Sequence, residues 1–171
     1  CNDKNSIEII DWNIVNLCET LNLCEKSKNN KKIKVDSLLN IGINLKNHFD
    51  NNSAIENVEL ILIENQIGPI ANKMKTIQGM ISQYFICKNK YNIELISAIN
   101  KLKPFLNEEN KEKNKDYQQR KKFGIEIMTN MINETDNFLM WKDYFLNNKK
   151  KDDLSDCFLQ CYSYLIQNNK L

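Results

Sequence analysis

Three acidic residues lie in positions where they could act together on a phosphodiester. Glu64 ends the apolar stretch NVELILIE (57–64), and Asp153 and Asp156 lie three residues apart in KKKDDLSD (149–156). Crowded carboxylates repel one another unless cations neutralise them, and their hard oxygens suit Mg²⁺ or Mn²⁺. Two such ions about 4 Å apart can activate a water and stabilise the leaving oxygen of an in-line displacement. We therefore predict metal-dependent phosphodiester hydrolysis, with Glu64, Asp153 and Asp156 as catalytic residues and as metal ligands.

A simpler interpretation of DDLSD (152–156) stays open. Acidic residues are favoured at a helix N-terminus, where they cap free N–H groups and meet the positive end of the helix dipole. Glu64 favours the metal site instead, because α/β sheets tend to build sites at the ends of their central strands.

The basic residues are clustered, although the formal net charge is only +2 and indicates no global field for nucleic acid. The clusters fall at 26–34, 111–122 and 149–151. Each run taken alone is typical of an ordinary solvated surface. Next to catalytic carboxylates, basic side chains would instead meet phosphates. The predicted phosphate contacts are Lys73, Lys75, Arg120, Lys121 and Lys122.

The pattern of apolar residues predicts one α/β domain over residues 1–171, with helices covering the sheet. SIEIIDWNIVNLCE (6–19) is rich in β-branched residues and predicts one or two strands, with a hairpin turn near Asp11. The run ending at Glu64 predicts a strand buried on both faces. The further predictions are helices from Asp36, after Pro69, over 117–132 and over 152–167, a strand over 93–98 and an exposed loop over 107–116. The state of NFLMWKDYFL (137–146) stays undecided between helix and loop.

Other features of the sequence point to an intracellular protein. The six cysteines form no CxxC pair, which favours reduced thiols, and Cys157 and Cys161 are predicted to be core residues. Cys18 and Cys24 could join a zinc site, but a single histidine leaves few partners. No apolar run approaches the length of a membrane span. The stripe from Met74 to Phe85 predicts core or a dimer surface, with core favoured.

Three stretches, taken in order, resemble a known family. VELILIENQIGPIANKMKTIQGMISQYF (58–85), DYQQRKKFGIE (116–126) and KKKDDLSDCFLQ (149–160) are similar to the RuvC-type Holliday junction resolvases of poxviruses and other large DNA viruses. Fungal mitochondrial resolvases are more distant kin. The resemblance extends over residues 7–165.

The resemblance implies an RNase H-like mixed sheet flanked by helices, a homodimer, and Mg²⁺-dependent nicking of branched DNA at four-way junctions. Glu64 matches the family's second acidic residue, Asp153 and Asp156 match the acidic pair of its last helix, and Lys121 and Lys122 match a basic segment near the scissile phosphate. The family's first strand carries an aspartate followed by glycine and asparagine. We expect this strand upstream of Cys1, so that the chain as it stands lacks part of the site. The resemblance places the protein where viral DNA replicates, in cytoplasm or nucleus, or in mitochondria for the fungal type.

Two other functions stay open. The missing first aspartate is compatible with a DNA-binding or scaffolding protein that keeps the fold without the chemistry. The same carboxylates could also serve a nuclease that acts on RNA–DNA hybrids.

Overall fold

The computed structural model describes residues 7–18, 37–68, 72–110 and 116–170. Over these residues the chain is mixed α/β, mostly helical, with a two-stranded parallel sheet. The elements in chain order are α1 (Ser37–Asp50), a 3-10 helix (Ser53–Ile55), β1 (Ile61–Glu64), α2 (Asn72–Cys87), β2 (Ile93–Ile96), a 3-10 helix (Ala98–Phe105), α3 (Tyr117–Glu134), a 3-10 helix (Asp136–Trp141), α4 (Lys142–Asn147) and α5 (Lys151–Gln167).

The chain forms two compact units, each with its own core. Residues 1–14 and 96–171 form one, called here the helical unit, and residues 15–95 form the other, called the sheet unit. The helical unit is therefore built from both ends of the chain, and the sheet unit is inserted between them.

In the sheet unit, the core forms where β1 meets α2. Ile61 and Ile63 are buried together with Phe85 of α2, and Phe49 of α1 packs against them. The predicted strands and helices of this unit are confirmed within the described residues. The prediction that β1 is buried on both faces is wrong, because Leu62 is only half-buried. Burial along β1 therefore alternates, as in a strand packed on one side.

The stripe on α2 divides into two parts. Its C-terminal part is core, because Phe85 is buried and Ile81 and Tyr84 pack against the same cluster. Its N-terminal part is open, since Met74 is 48% exposed. The prediction that this stripe is part of the core is therefore confirmed only for the last two turns of α2.

The helical unit encloses its core between α3, α4 and α5. Met128, Phe145 and Leu154 are almost completely buried there. The side-chain carboxylate of Asp116 accepts a hydrogen bond from the backbone N–H of Gln119 at 2.9 Å, which caps the start of α3. Both long predicted helices are confirmed, and the undecided segment 137–146 is a 3-10 helix followed by α4.

The N-terminal segment is not a strand, so the predicted strand or hairpin is wrong for residues 7–18, where the structure describes it. Ile9 and Trp12 insert into the helical core, and Trp12 stacks on Phe145 with ring centroids 5.4 Å apart. The Trp12 indole N–H donates to the carbonyl of Leu154 at 3.2 Å, and the Trp141 indole N–H donates to the carbonyl of Ile9 at 3.0 Å. The β-branched and aromatic residues that predicted a strand anchor this segment by side-chain insertion instead.

Cys157 and Cys161 are exposed, so their prediction as core residues is wrong. The buried arc of α5 runs through Ser155, Leu159 and Ser163 instead. The Ser163 hydroxyl donates to the carbonyl of Asn100 at 2.8 Å, which satisfies a buried polar group. Small hydroxyl residues allow a close approach to the neighbouring segment, so the positions of the two cysteines were a poor guide to the buried face of α5.

Two further predictions fall partly outside the described residues. The loop over 107–116 is described as a turn up to Asn110, which exchanges side-chain to backbone hydrogen bonds with Asn107. Of the two cysteines considered for zinc, Cys18 is exposed and Cys24 lies outside the described residues. Where the structure describes the chain, no helix is long and apolar enough to cross a membrane.

Candidate functional site

Three aspartates near the start of α5 each pair with a different lysine. Asp152 pairs with Lys121 of α3 at 2.5 Å, and Asp153 pairs with Lys150 at 3.2 Å, just before α5. The third, Asp156, pairs with Lys101 at 2.6 Å. Asp152 and Asp156 lie four residues apart on one helix face, so both reach lysines of neighbouring elements. Asp153 lies on the flank, with its side chain 50% exposed.

Lys101 is the most deeply buried cation of this group. It belongs to the 3-10 helix Ala98–Phe105, and the whole residue is only 9% exposed. Its neighbour Leu102 is buried against Leu159 in the core, and its other neighbour, Asn100, accepts the hydrogen bond from Ser163. Both flanking residues thus fix the backbone of Lys101 against α5, which directs its ammonium to Asp156.

The pair between Lys121 and Asp152 is half-buried and electrostatically strong. The hydrogen bond from Lys121 holds the pKa of the Asp152 carboxyl below its usual range, although burial opposes this. The same hydrogen bond raises the pKa of Lys121, whose ammonium also lies 5.0 Å from the centre of the Tyr117 ring. Both groups are therefore charged at neutral pH.

A small pocket lies beside the ion pairs of Lys101 and Lys121, between α3 and the 3-10 helix Ala98–Phe105. It has a volume of about 150 Å³, and the residues that line it include no carboxylate. Its lining consists of Ala98, Ile99, Lys101, Leu102, Tyr117, Arg120 and Lys121. We call it the basic pocket, because three of these seven side chains are cationic. Two of them, Arg120 and Lys121, are predicted phosphate contacts.

The remaining predicted phosphate contact of α3 lies elsewhere. Lys122 is exposed and does not line the basic pocket. Successive residues of an α-helix point about 100° apart, so three adjacent cations cannot all face one pocket. The structure therefore separates Lys122 from Arg120 and Lys121.

Glu64 lies at the end of β1, as predicted, and its side chain is half-buried. The Gln66 side-chain amide donates to Glu64 Oε1 at 3.0 Å, and the backbone N–H of Gln66 donates to Gln78 Oε1 of α2 at 2.8 Å. The loop that follows the strand is thus tied to α2. Lys73 and Lys75 are exposed on the first turn of that helix.

The predicted site residues are divided between the two units. Asp153 and Asp156 belong to the helical unit together with Arg120, whereas Glu64 belongs to the sheet unit. Their convergence on shared metal ions stays a prediction. Across the described parts of the chain, no three His, Cys, Asp or Glu side chains are grouped so as to hold a metal ion.

Lys101 was missed by the sequence reasoning. The feature of the sequence that could have identified Lys101 is its position inside AINKLKPF (98–105). If this segment is a 3-10 helix, every third residue lies on the same face. That spacing places Lys101 on one face with Ala98 and Pro104, where an aspartate on a packed helix could neutralise it.

The chain is similar in sequence to a protein of a mimivirus. The chain is 32% identical over 138 residues to the uncharacterized protein L451 of Acanthamoeba polyphaga mimivirus, a match that covers 71% of this chain. The match covers 31% of L451, so the chain spans about a third of the length of that relative. No protein-family model and no solved structure matches the chain.

Proposed function

We propose that the chain is part of a structure-selective DNA endonuclease with an RNase H-like, RuvC-type fold, which resolves four-way junctions by Mg²⁺-dependent hydrolysis. The observation that carries the proposal is the row of aspartates on α5 directly beside the basic pocket. Carboxylates for a metal and cations for a phosphate are the two components that phosphodiester hydrolysis needs. The mimivirus relative supports a viral setting. We place the protein at the sites of viral DNA replication as part of the same proposal.

The donor atoms near the start of α5 fit Mg²⁺ in kind. Mg²⁺ keeps several waters and is bound through one or two carboxylates together with phosphate oxygens of the substrate. Asp153 and Asp156 would supply the carboxylates, and we propose Glu64 as a further ligand. Bound there, the ion would supply the activated water and neutralise charge on the phosphate.

The basic residues would bind the DNA backbone. Arg120 and Lys121 would hold a phosphate at the basic pocket, while Lys73, Lys75 and Lys122 would meet flanking phosphates. Such contacts carry little sequence information and make binding strongly dependent on salt. In a two-fold homodimer, two such sites would match the symmetry of a four-way junction and place paired cuts symmetrically.

The decisive experiment measures cleavage of a labelled four-way junction in Mg²⁺. It compares the chain, extended upstream to include the proposed first aspartate, with its Asp156→Asn and Glu64→Gln variants. We expect each substitution to slow cleavage about 100-fold, the scale on which loss of one charge-stabilising group slows an enzyme. Asp143→Asn, which removes an exposed carboxylate on α4, is the matched control. Full activity in Glu64→Gln would disprove the assignment, and faster cleavage of an RNA–DNA hybrid than of the junction would point to the hybrid nuclease.

One observation favours a second function, a DNA-binding protein without chemistry. Each of the three aspartates on α5 is neutralised by a lysine, so the fold needs no metal to balance their charge. In that case the extended chain would bind junctions but leave them uncut in both Mg²⁺ and Mn²⁺.

A further inference from the structure

The basic pocket carries more positive charge than the aspartates behind it neutralise. Lys101 and Lys121 pair with Asp156 and Asp152, which leaves the charge of Arg120. Within the described part of the chain, Arg120 makes no ion pair, and its side chain is half-buried. A guanidinium in that position presents planar donors to an anion.

We propose that the basic pocket is a binding site for a single phosphate group, with Arg120, Lys101 and Lys121 as its ligands. The volume supports this: about 150 Å³ is several times the roughly 30 Å³ that one water molecule occupies in the liquid, so five non-hydrogen atoms of a phosphate group fit.

Lys101 is the residue that distinguishes this pocket from a solvated basic surface. Only 9% of the residue and 11% of its side chain are exposed, and its position is fixed by core packing on one side and a buried hydrogen bond on the other. A lysine ammonium has three donors, and the bond to Asp156 uses one of them. The remaining donors can reach a phosphate oxygen while the bond to Asp156 is kept.

The phosphate would also be linked to the aspartates. A phosphate that accepts the remaining donors of Lys101 and Lys121 shares their positive charge with Asp156 and Asp152. Those carboxylates are then neutralised less completely and gain affinity for other cations. Phosphate and a divalent cation should therefore bind with positive coupling, each favouring the other. This coupling rests on the proposed function, whereas binding of the phosphate does not.

The test titrates the 171-residue chain with inorganic phosphate at constant ionic strength and follows binding by calorimetry and by the ³¹P signal. Arg120→Gln should weaken the phosphate Kd at least about tenfold, since hydrogen bonds between charged groups are the strong ones. Lys103→Gln is the matched control, because Lys103 is exposed on the same 3-10 helix and does not line the pocket. Equal phosphate affinity in wild type and Arg120→Gln, or equal loss in both variants, would overturn the proposal.

Two further arms distinguish the source of the phosphate. One arm uses a short single-stranded DNA with a 5′-phosphate, and the other uses the same DNA with a 5′-hydroxyl. A preference for the 5′-phosphate of at least about tenfold that is lost in Arg120→Gln assigns the pocket to terminal phosphates, and equal Arg120-dependent binding assigns it to the phosphodiester backbone. Arg120-dependent phosphate binding, together with no junction cleavage by the chain extended upstream, would support the pocket and refute the nuclease.

Discussion

Replacing Lys101 by methionine should destabilise the helical unit by about 3 kcal/mol. The side chains of Lys101 and Asp156 are 11% and 25% exposed, and the ammonium lies 2.6 Å from the carboxylate. Removing one partner of a buried ion pair costs about 3–5 kcal/mol, because the other charge stays buried after its ion pair is lost. We take the low end because a quarter of Asp156 reaches solvent. Methionine retains most of the apolar stem, so the packing of Leu102 should survive.

Urea unfolding of four chains measures this effect: wild type, Lys101→Met, Asp156→Asn and the double variant. The sum of the losses in free energy of unfolding for the two single variants should exceed the loss for the double variant by about 2 kcal/mol, because the two residues are in contact and their effects couple. An unchanged dependence on urea concentration confirms that the unfolded state is the same. Lys103→Met, on the exposed side of the same 3-10 helix, should change the free energy of unfolding by less than about 0.5 kcal/mol.

A free energy of unfolding of Lys101→Met within about 1 kcal/mol of the wild-type value, the range of exposed ion pairs, would contradict a buried pair. Simple additivity of the costs of the two single substitutions would contradict it as well. Either result would mean that water reaches the pair and that the buried position of Lys101 has no electrostatic consequence.

Three further predictions concern other contacts of the helical unit. The hydrogen bond from Lys121 lowers the pKa of Asp152 in the folded state from its ordinary value of 3.8. The ion pair therefore stabilises the fold fully above pH 3.8, and this stabilisation is lost as the pH falls through the lowered pKa of the folded state. Wild type should therefore lose more thermal stability than Lys121→Met between about pH 5 and about pH 2. Trp12→Phe removes the indole donor to Leu154 and should cost about 1–3 kcal/mol in urea unfolding, with a smaller cost if the carbonyl reaches water. Gly124→Ala should raise the free energy of unfolding by up to about 1 kcal/mol, since an added Cβ on α3 meets nothing closer than 3.6 Å; destabilisation would show that the helices cannot accept the methyl group.

The sequence located the long helices because their signals are local. The pattern of apolar residues predicts a helix over 117–132, and the structure has α3 from Tyr117 to Glu134. The apolar stretch before Glu64 predicted β1 for a similar reason. In each case the deciding interactions lie within a few residues of one another.

The predictions for the N-terminal segment and for the buried face of α5 were wrong because both depend on long-range packing. Residues 7–18 have strand-like composition, but Ile9 and Trp12 are held by elements more than a hundred residues away. Cys161 follows the apolar spacing of α5, yet Ser163 faces the core because a backbone carbonyl of another segment meets it there. A partner of this kind cannot be found from periodicity alone.

The sequence predicted which charged residues form the candidate site, but it did not predict the ion pairs between them. The carboxylates and the basic residues of α3 stood out by type and spacing. Lys101 did not, since its importance depends on the close packing of a 3-10 helix against α5. The sequence therefore indicated which groups could do chemistry but not which charges neutralise each other.

The hydrogen bond from Trp12 to Leu154 has a consequence for synthesis of the protein. The two residues are 142 positions apart, so at about 5–20 residues per second the indole waits roughly 7–30 s for its acceptor to be translated. During that time the inserted sheet unit can form on the ribosome from local contacts, while Trp12 and Ile9 remain exposed to chaperones. The nascent chain should therefore bind chaperones through its N-terminal segment until α5 has emerged.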